Sequence, residues 1–356
     1  MHLIRPNYKK GFGAAGQMVQ LIRRELKSRV GRSLPLRTRL RVLRRGFLSE
    51  SYVLYDLERN NPSLYLSDLS RFVRTFHING SPHVLDDKFV FAVMLDSMGC
   101  PTAPLRALVS KGQFTSTETG RRLDEAGVVD LLRTYPELVV KPRFGGGGGK
   151  IRFLALADGM LLVNKRTLGF PEMVRLLQRQ EEHVVTERIY QHSYAARVYP
   201  HSTNTIRIVT MLDVACGTPF IAAAVHRFGT SASLPVDNWS KGGISAALDV
   251  DTGRLGAGIT FPNRYAARVH ERHPDSGEPI AGIRVPSWPR IRDGVLALAA
   301  RMPLDVPYVG WDVIVTEAGF VVLEGNRYSD VNLLQVHGPL LRDERVRAFY
   351  RKYGAA

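Results

Sequence analysis

The sequence predicts an α+β protein, and three observations predict it. From Val84 onward, short apolar β-branched runs alternate with segments of helical periodicity. Five consecutive glycines, residues 145–149, separate two of those runs, 138–141 and 151–156. Toward the C-terminal end, the apolar runs 313–315 and 320–323 flank a Glu317-Ala318-Gly319 turn, the pattern of a hairpin. Residues 1–80 read as helical and basic. The expected organisation is therefore a basic helical region over 1–80, a smaller α+β part over 81–189 carrying the glycine loop, and a larger part over 190–356 carrying the hairpin and C-terminal helices.

The elements follow in chain order. Val19, Ile22, Leu26 and Val30 recur at i, i+3, i+7, i+11, and Leu36, Leu40, Leu43 and Phe47 at i, i+4, i+7, i+11. These are two amphipathic helices, the second with Pro35 near its start, where a proline is tolerated. Their apolar faces are expected to pack on the body of the protein, with the arginines in solvent. The alternative is that they lie on an anionic membrane surface or grip a polyanion. Residues 49–80 read as short helical pieces broken at Asn61-Pro62 and Asn79-Gly80. Asp87 is placed to cap a helix over 88–98, ended by Gly99 and Pro101. A strand over 105–109, a helix over 124–134 and the strand 138–141 lead into the glycines. After them come the strand 151–156, a helix over 170–182 and strands over 183–190, 205–212 and 220–227. A glycine turn at 237–243, a strand over 245–250 and a loop-like stretch over 257–288 follow. A helix over 287–302 precedes the hairpin, and 337–353 is one helix or two.

Charge is concentrated at one end. Of the 49 Lys and Arg, 13 lie in residues 1–48 against a single acid, Glu25, a local balance of +12. The remainder has 36 basic and 32 acidic groups, or +4, so basicity belongs to the N-terminal region and not to the whole surface. Two cysteines, Cys100 and Cys216, form neither a disulfide framework nor a metal-ligand spacing. No apolar run has the length of a bilayer span and no secretory leader is visible, which makes the cytoplasm the expected compartment.

Two stretches carry chemistry. Lys141-Pro-Arg-Phe, five glycines and Lys150 form a strand–glycine loop–strand unit whose N–H groups can approach and cradle phosphate oxygens. Ile151 stands where a P-loop would have Ser or Thr, and a strand follows where that motif needs a helix. In the hairpin, folding back brings Asp312 beside Glu324, and Asn326, two residues on, shares a face with Glu324. Two carboxylates and an amide suit Mg2+, which takes hard oxygen ligands and leaves positions for phosphate.

Taken together, Lys88, Lys141 with its glycine loop, Glu187, Arg207, Asn238 with Gly242-Gly243, and the Asp312…Glu324-x-Asn326 spacing resemble the ATP-grasp superfamily. More narrowly, over about residues 84–335, they resemble its sugar-transfer-associated branch. The resemblance implies the ATP-grasp fold with roles residue by residue. Lys88 and Lys141 would meet the ATP phosphates under the glycine flap with Gly146, Gly147 and Gly148, and either Arg143 or Lys150 would assist. Glu187, Arg188 and Ile189 would lie at the adenine. Asp312, Glu324 and Asn326 would hold two Mg2+ ions, with Mn2+ able to substitute. Arg207, Asn238 and Lys241 would stabilise charge on the transferred phosphoryl group.

The function so implied is an ATP- and Mg2+-dependent carboxylate–amine ligase working through an acyl phosphate, acting on an amino acid or sugar acid in polysaccharide or natural-product biosynthesis. Its partners would be a small-molecule carboxylate and an amine, with residues 1–48 able to hold it at the inner membrane face and no specific nucleic acid expected. The alternative is a kinase on the same nucleotide site, with Asp237 or Asp330 as base. His192, His201 and His226 lie near the proposed site but lack an evident partner for proton transfer.

Overall fold

The computed structural model describes residues 14–145, 150–178, 182–261 and 268–356. Helices α1 (Ala14–Lys27), α2 (Arg29–Ser33), α3 (Leu36–Arg44) and α4 (Ser49–Leu54) come first. Single turns at Pro62–Leu64, Ser70–Arg74 and Thr75–His77 follow. Next are α5 (His83–Asp86), α6 (Lys88–Ser97), β1 (Leu105–Ser110), β2 (Gln113–Ser116), β3 (Arg122–Leu123) and α7 (Glu125–Thr134). The strands β4 (Glu137–Pro142), β5 (Arg152–Ala157), β6 (Met160–Val163) and β7 (Arg166–Thr167) lead to α8 (Phe170–Gln178) and β8 (His183–Glu187). Then come α9 (Ser193–Val198), β9 (Ile206–Leu212), β10 (Pro219–Phe228), β11 (Ile244–Leu248), β12 (Leu255–Thr260) and β13 (Val269–His270). The chain closes with α10 (Trp288–Ala300), β14 (Tyr308–Thr316), β15 (Gly319–Asn326), α11 (Asn332–Gln335) and α12 (Glu344–Lys352).

Two compact units emerge. One is Met1–Pro82, Ser193–Asp312 and Asn326–Ala356; the other is His83–His192 and Val313–Gly325. The N-terminal helices group with the larger unit, and residues 313–325 return to the smaller one. The expected loop over 257–288 contains β12 and β13, whose small and β-branched residues complete the edge of a sheet. The helix expected over 170–182 is described as far as Gln178. The C-terminal stretch is a 3-10 turn at Leu340–Arg342 followed by α12.

In the larger unit β13, β12, β11, β10, β9 and the first part of β14 form a sheet in that order, and the pairings from β13 to β9 are antiparallel. Its core joins Phe47, Tyr55 and Leu66 from the N-terminal region to Met211, Val225, Phe349 and Tyr350. Buried polar side chains pin that region. Asp68 accepts from Leu48 N at 2.7 Å, Ser51 Oγ at 2.9 Å and Arg71 Nε at 2.9 Å. The Gln335 side chain accepts from Leu66 N at 2.6 Å and donates to Leu66 O at 3.1 Å. Such groups are buried at little cost only because each is fully engaged.

The amphipathic helices depart from expectation. Val30 and Phe47 are buried, but Val19, Ile22, Leu26, Leu36, Leu40 and Leu43 are exposed. Residues 1–13 lie outside the described residues.

The smaller unit is an eight-stranded sheet, β3-β2-β1-β8-β4-β5-β6-β7, antiparallel at every junction. Val128 and Leu132 of α7 and Met173 and Leu177 of α8 cover one face, packing on Ala107, Val140 and Val185. Because side chains alternate along a strand, Lys141 and Val184, each adjacent to one of those core residues, point to the opposite face.

Candidate active site

That opposite face is where the smaller unit places its charge. Lys141 of β4 and Lys88, at the start of α6, share a cleft with Phe91, Ala103, Leu105 and Val322. Asp87 caps α6 by accepting from Phe89 N at 3.0 Å and Val90 N at 3.3 Å, which fixes where Lys88 leaves the helix. The Lys88 ammonium donates to Gly145 O, at the start of the glycine loop, and lies 3.7 Å from the Glu324 carboxylate. Burial pulls the Lys141 ammonium down to about 8; Glu324 opposes that shift and Lys88 adds to it. Desolvation and a like charge both penalise an ammonium, so this cleft favours an incoming anion. Gly325 sets the local spacing, because a Cβ there would stand 2.7 Å from Phe91 Cε2 and 2.8 Å from Leu85 Cδ2.

Three of the other expected nucleotide contacts in this unit, Arg143, Glu187 and Arg188, have protein partners. Arg143 pairs with Asp87 at 2.6 Å and Glu182 at 2.7 Å, so it braces the α6 cap, a task the spacing of residues 141–150 gave no reason to expect. Glu187 is engaged by Arg106, whose guanidinium rests 4.0 Å over the Tyr135 ring. Arg188 donates to both oxygens of Glu137 at 2.8 Å, and Ile189 is half-buried. Lys150 is exposed. Gly146, Gly147 and Gly148 lie outside the described residues.

The larger unit builds a buried charge network. Arg207 on β9 donates to Asp312 on β14 through Nε at 2.5 Å and Nη2 at 3.1 Å. Arg227 on β10 reaches the same carboxylate at 3.1 Å and Asp237 at 3.4 Å. The register pairs Arg207 with Val225 and Ile206 with His226, which puts Arg207 and Arg227 on one face of the sheet. Arg227 was not singled out by the sequence reading; the signal for it was that β9 and β10 each carry one arginine, which their antiparallel register brings to one face.

Asp237 and Asp330, the candidate kinase bases, are both held. Asp237 is buried and accepts from Thr205 N at 2.9 Å and Thr205 Oγ1 at 2.6 Å, while burial raises its pKa against the pull of Arg227. Asp330 pairs with Arg71 at 3.0 Å. Asn238 uses its Oδ1 to accept from Ser240 N at 3.0 Å and Ser240 Oγ at 2.8 Å, capping a 3-10 turn that ends at Gly242 with φ +106°. Lys241, in that turn, is exposed. Of the three histidines, His226 is buried and bonded to Tyr194 Oη at 2.7 Å, with its pKa driven down to about 3 by burial. His192 faces Glu317 at 3.2 Å, and His201 meets the Tyr199 ring edge-on at 5.4 Å.

The family model for sugar-transfer associated ATP-grasp proteins matches residues 69–348. This chain belongs to that family. A search of curated proteins gives no match. Among solved structures, the ATP-grasp chain is similar to D-alanyl-alanine synthetase A from Vibrio cholerae O1 biovar eltor at 8% identity and TM-score 0.43, covering 75% of this chain and 66% of that one. A D-alanine–D-alanine ligase from Bacillus anthracis matches at 15% identity and TM-score 0.38, covering 75% and 67%. A D-cycloserine synthetase matches at 15% identity and TM-score 0.42, covering 86% and 82%. The ATP-grasp chain thus spans about two thirds of the length of the first two.

The residues expected to hold Mg2+ in an ATP-grasp chain can be tested by their donor chemistry. Asp312 and Asn326 lie in the larger unit and Glu324 in the smaller. Asn326 donates through Nδ2 to Gly310 O at 3.1 Å, which leaves its Oδ1 as the end to meet a cation. Asp312 is paired with two arginines, and Glu324 lies beside an ammonium. Two carboxylates and an amide oxygen are the hard donor types that Mg2+ takes. Among the described residues no group of three or more His, Cys, Asp or Glu assembles; this set, with its amide, is not of that kind.

Proposed function

We propose that this ATP-grasp chain is an ATP- and Mg2+-dependent ligase that joins a carboxylate to an amine through an acyl phosphate. The observation that carries the reading is the cleft of the smaller unit. Lys88 and Lys141 line one cleft with Phe91, Ala103, Leu105, Val184 and Val322. Paired ammoniums suit the phosphates of a nucleotide.

Chemically, a substrate carboxylate oxygen bonds to the γ-phosphorus while the bond to the β,γ-bridging oxygen breaks and ADP leaves. The amine nitrogen then bonds to the acyl carbon, phosphate departs with the C–O electron pair, and the nitrogen releases a proton. Lys88 and Lys141 hold the phosphates by charge. Arg207 and Arg227, already oriented by Asp312, present guanidinium N–H groups toward developing negative charge. Mg2+, held by Asp312, Glu324 and Asn326, would supply neutralisation of phosphate oxygens. The amino-acid or sugar-acid character of the carboxylate is supported by the family's association with sugar transfer.

The test is ADP release by the full chain with ATP, Mg2+, amines, and pools of amino acids and uronic acids. ADP should appear only with a carboxylate, and hydroxylamine should trap a hydroxamate. Lys141→Met should lower kcat/KM by roughly 100-fold, the scale of losing one preorganised charge-stabilising group. ADP release driven by a hydroxyl compound, giving a hydroxylamine-stable phosphate ester, would replace the ligase with a kinase.

A further inference from the structure

The exposed aliphatic residues of α1 and α3 have no role in the chemistry above. Leu26 is 65% and Leu36 69% exposed, and Val19, Ile22, Leu40 and Leu43 are exposed with them. Val19, Ile22 and Leu26 recur at i, i+3, i+7, and Leu36, Leu40 and Leu43 at i, i+4, i+7, so each helix presents one apolar stripe. The stripes are not a fold left half-packed. Leu21 and Val42, on other faces of the same helices, are buried, and Arg39 of α3 is fixed to Glu25 of α1 at 2.5 Å. Glu25 is itself buried, accepting from Ser49 N at 3.0 Å and Ser49 Oγ at 2.7 Å.

The one acid of residues 1–48 is therefore taken inward, while Arg23, Lys27, Arg37, Arg41 and Arg44 stand in solvent beside the stripes. A surface with aliphatic stripes, flanking cations and no exposed acid is complementary to one environment above others, an anionic lipid interface. There the stripes enter the acyl boundary and the cations meet headgroup phosphates. A nucleic acid would use the cations but has no apolar phase for six aliphatic side chains, and its usual stacking aromatics are not on these faces. We propose that α1 and α3 form a peripheral membrane-docking surface for anionic bilayers.

The test uses the full chain and sedimentation with vesicles. Vesicles of phosphatidylcholine and phosphatidylglycerol in equal parts should carry the protein down, and phosphatidylcholine alone should not. Added salt should weaken binding. The double variant Ile22→Glu/Leu40→Glu changes exposed residues only, and should keep its melting temperature while losing binding at least ~10-fold, as expected when apolar area leaves the interface. Arg37→Glu/Arg41→Glu should lose the preference for the anionic vesicles. The proposal is overturned if neither vesicle binds, if both bind equally, or if the Glu variants bind as well as the parent. It is likewise overturned if light scattering shows a dimer that Ile22→Glu dissolves, since the stripes would then be a self-interface. ATP binding is read separately in each variant and should be unchanged, so this outcome is independent of the ligase reading.

Discussion

Asp312 is the residue on which the larger unit's charge balance turns. It is 4% exposed and faces two guanidiniums, Arg207 and Arg227, themselves nearly buried. Removing one member of a buried ion network leaves the others desolvated and uncompensated, at a cost of about 3–5 kcal/mol. Asp312→Ala should therefore move the denaturant midpoint by that amount, and pairing it with Arg227→Met should recover part of the loss. A midpoint shift below about 1 kcal/mol would show that the arginines relax to water, as exposed pairs do. The hairpin spacing singled out Asp312 as an acid beside Glu324 suited to Mg2+. It did not reveal that the partners were arginines on two other strands, because those contacts are made across the sheet between residues 85 to 105 positions away.

At the scale of the element, β15 shows why glycine stands between Glu324 and Asn326. A side chain at Gly325 would meet the Phe91 and Leu85 side chains at 2.7 and 2.8 Å, closer than packed atoms tolerate. Gly325→Ala should destabilise by about 1–3 kcal/mol, the usual cost of overpacking, seen as a lower melting temperature. It should also depress ADP release more than the stability loss explains, since the flanking Glu324 and Asn326 shift with the strand. Retention of full activity would separate this strand from the chemistry. The start of helix α6 was legible to the residue, because Asp87 is a capping side chain placed directly before an apolar periodic run. Strands β12 and β13 were not. The glycines of β12 weaken its strand signal and β13 is two residues long, so pairing of β12 with β11 and of β13 with β12 is what makes them strands.

At the scale of the whole molecule, three histidines, His183 and His226 buried and His337 half-buried, set an acid limit. Burial lowers His226 from 6.5 to about 3, His337 from 6.5 to about 4, and His183 from 6.5 to about 4. Each is neutral in the folded chain and charged in the unfolded chain between those values. The unfolded state then binds more protons, so stability is lost as pH falls through that window. Each group contributes up to about 1.4 kcal/mol per pH unit within it. The melting midpoint should fall steeply from pH 6.5 toward 4, and His337→Gln should flatten the slope by one proton. A midpoint unchanged across that range would mean that these rings are solvated.

The sequence alone determined the class of the fold, the order of its motifs and the family, because alternating polarity, caps, a polyglycine loop and an Asp…Glu-x-Asn spacing are local signals written along the chain. Only the tertiary structure decided which charges are committed to one another. Arg143 braces a helix cap, Arg227 joins Asp312, and Glu25 turns inward, while the aliphatic residues of α1 and α3 remain in solvent. Periodicity shows that a helix has an apolar face; what that face meets depends on segments far away in sequence, whose positions are fixed by long-range packing.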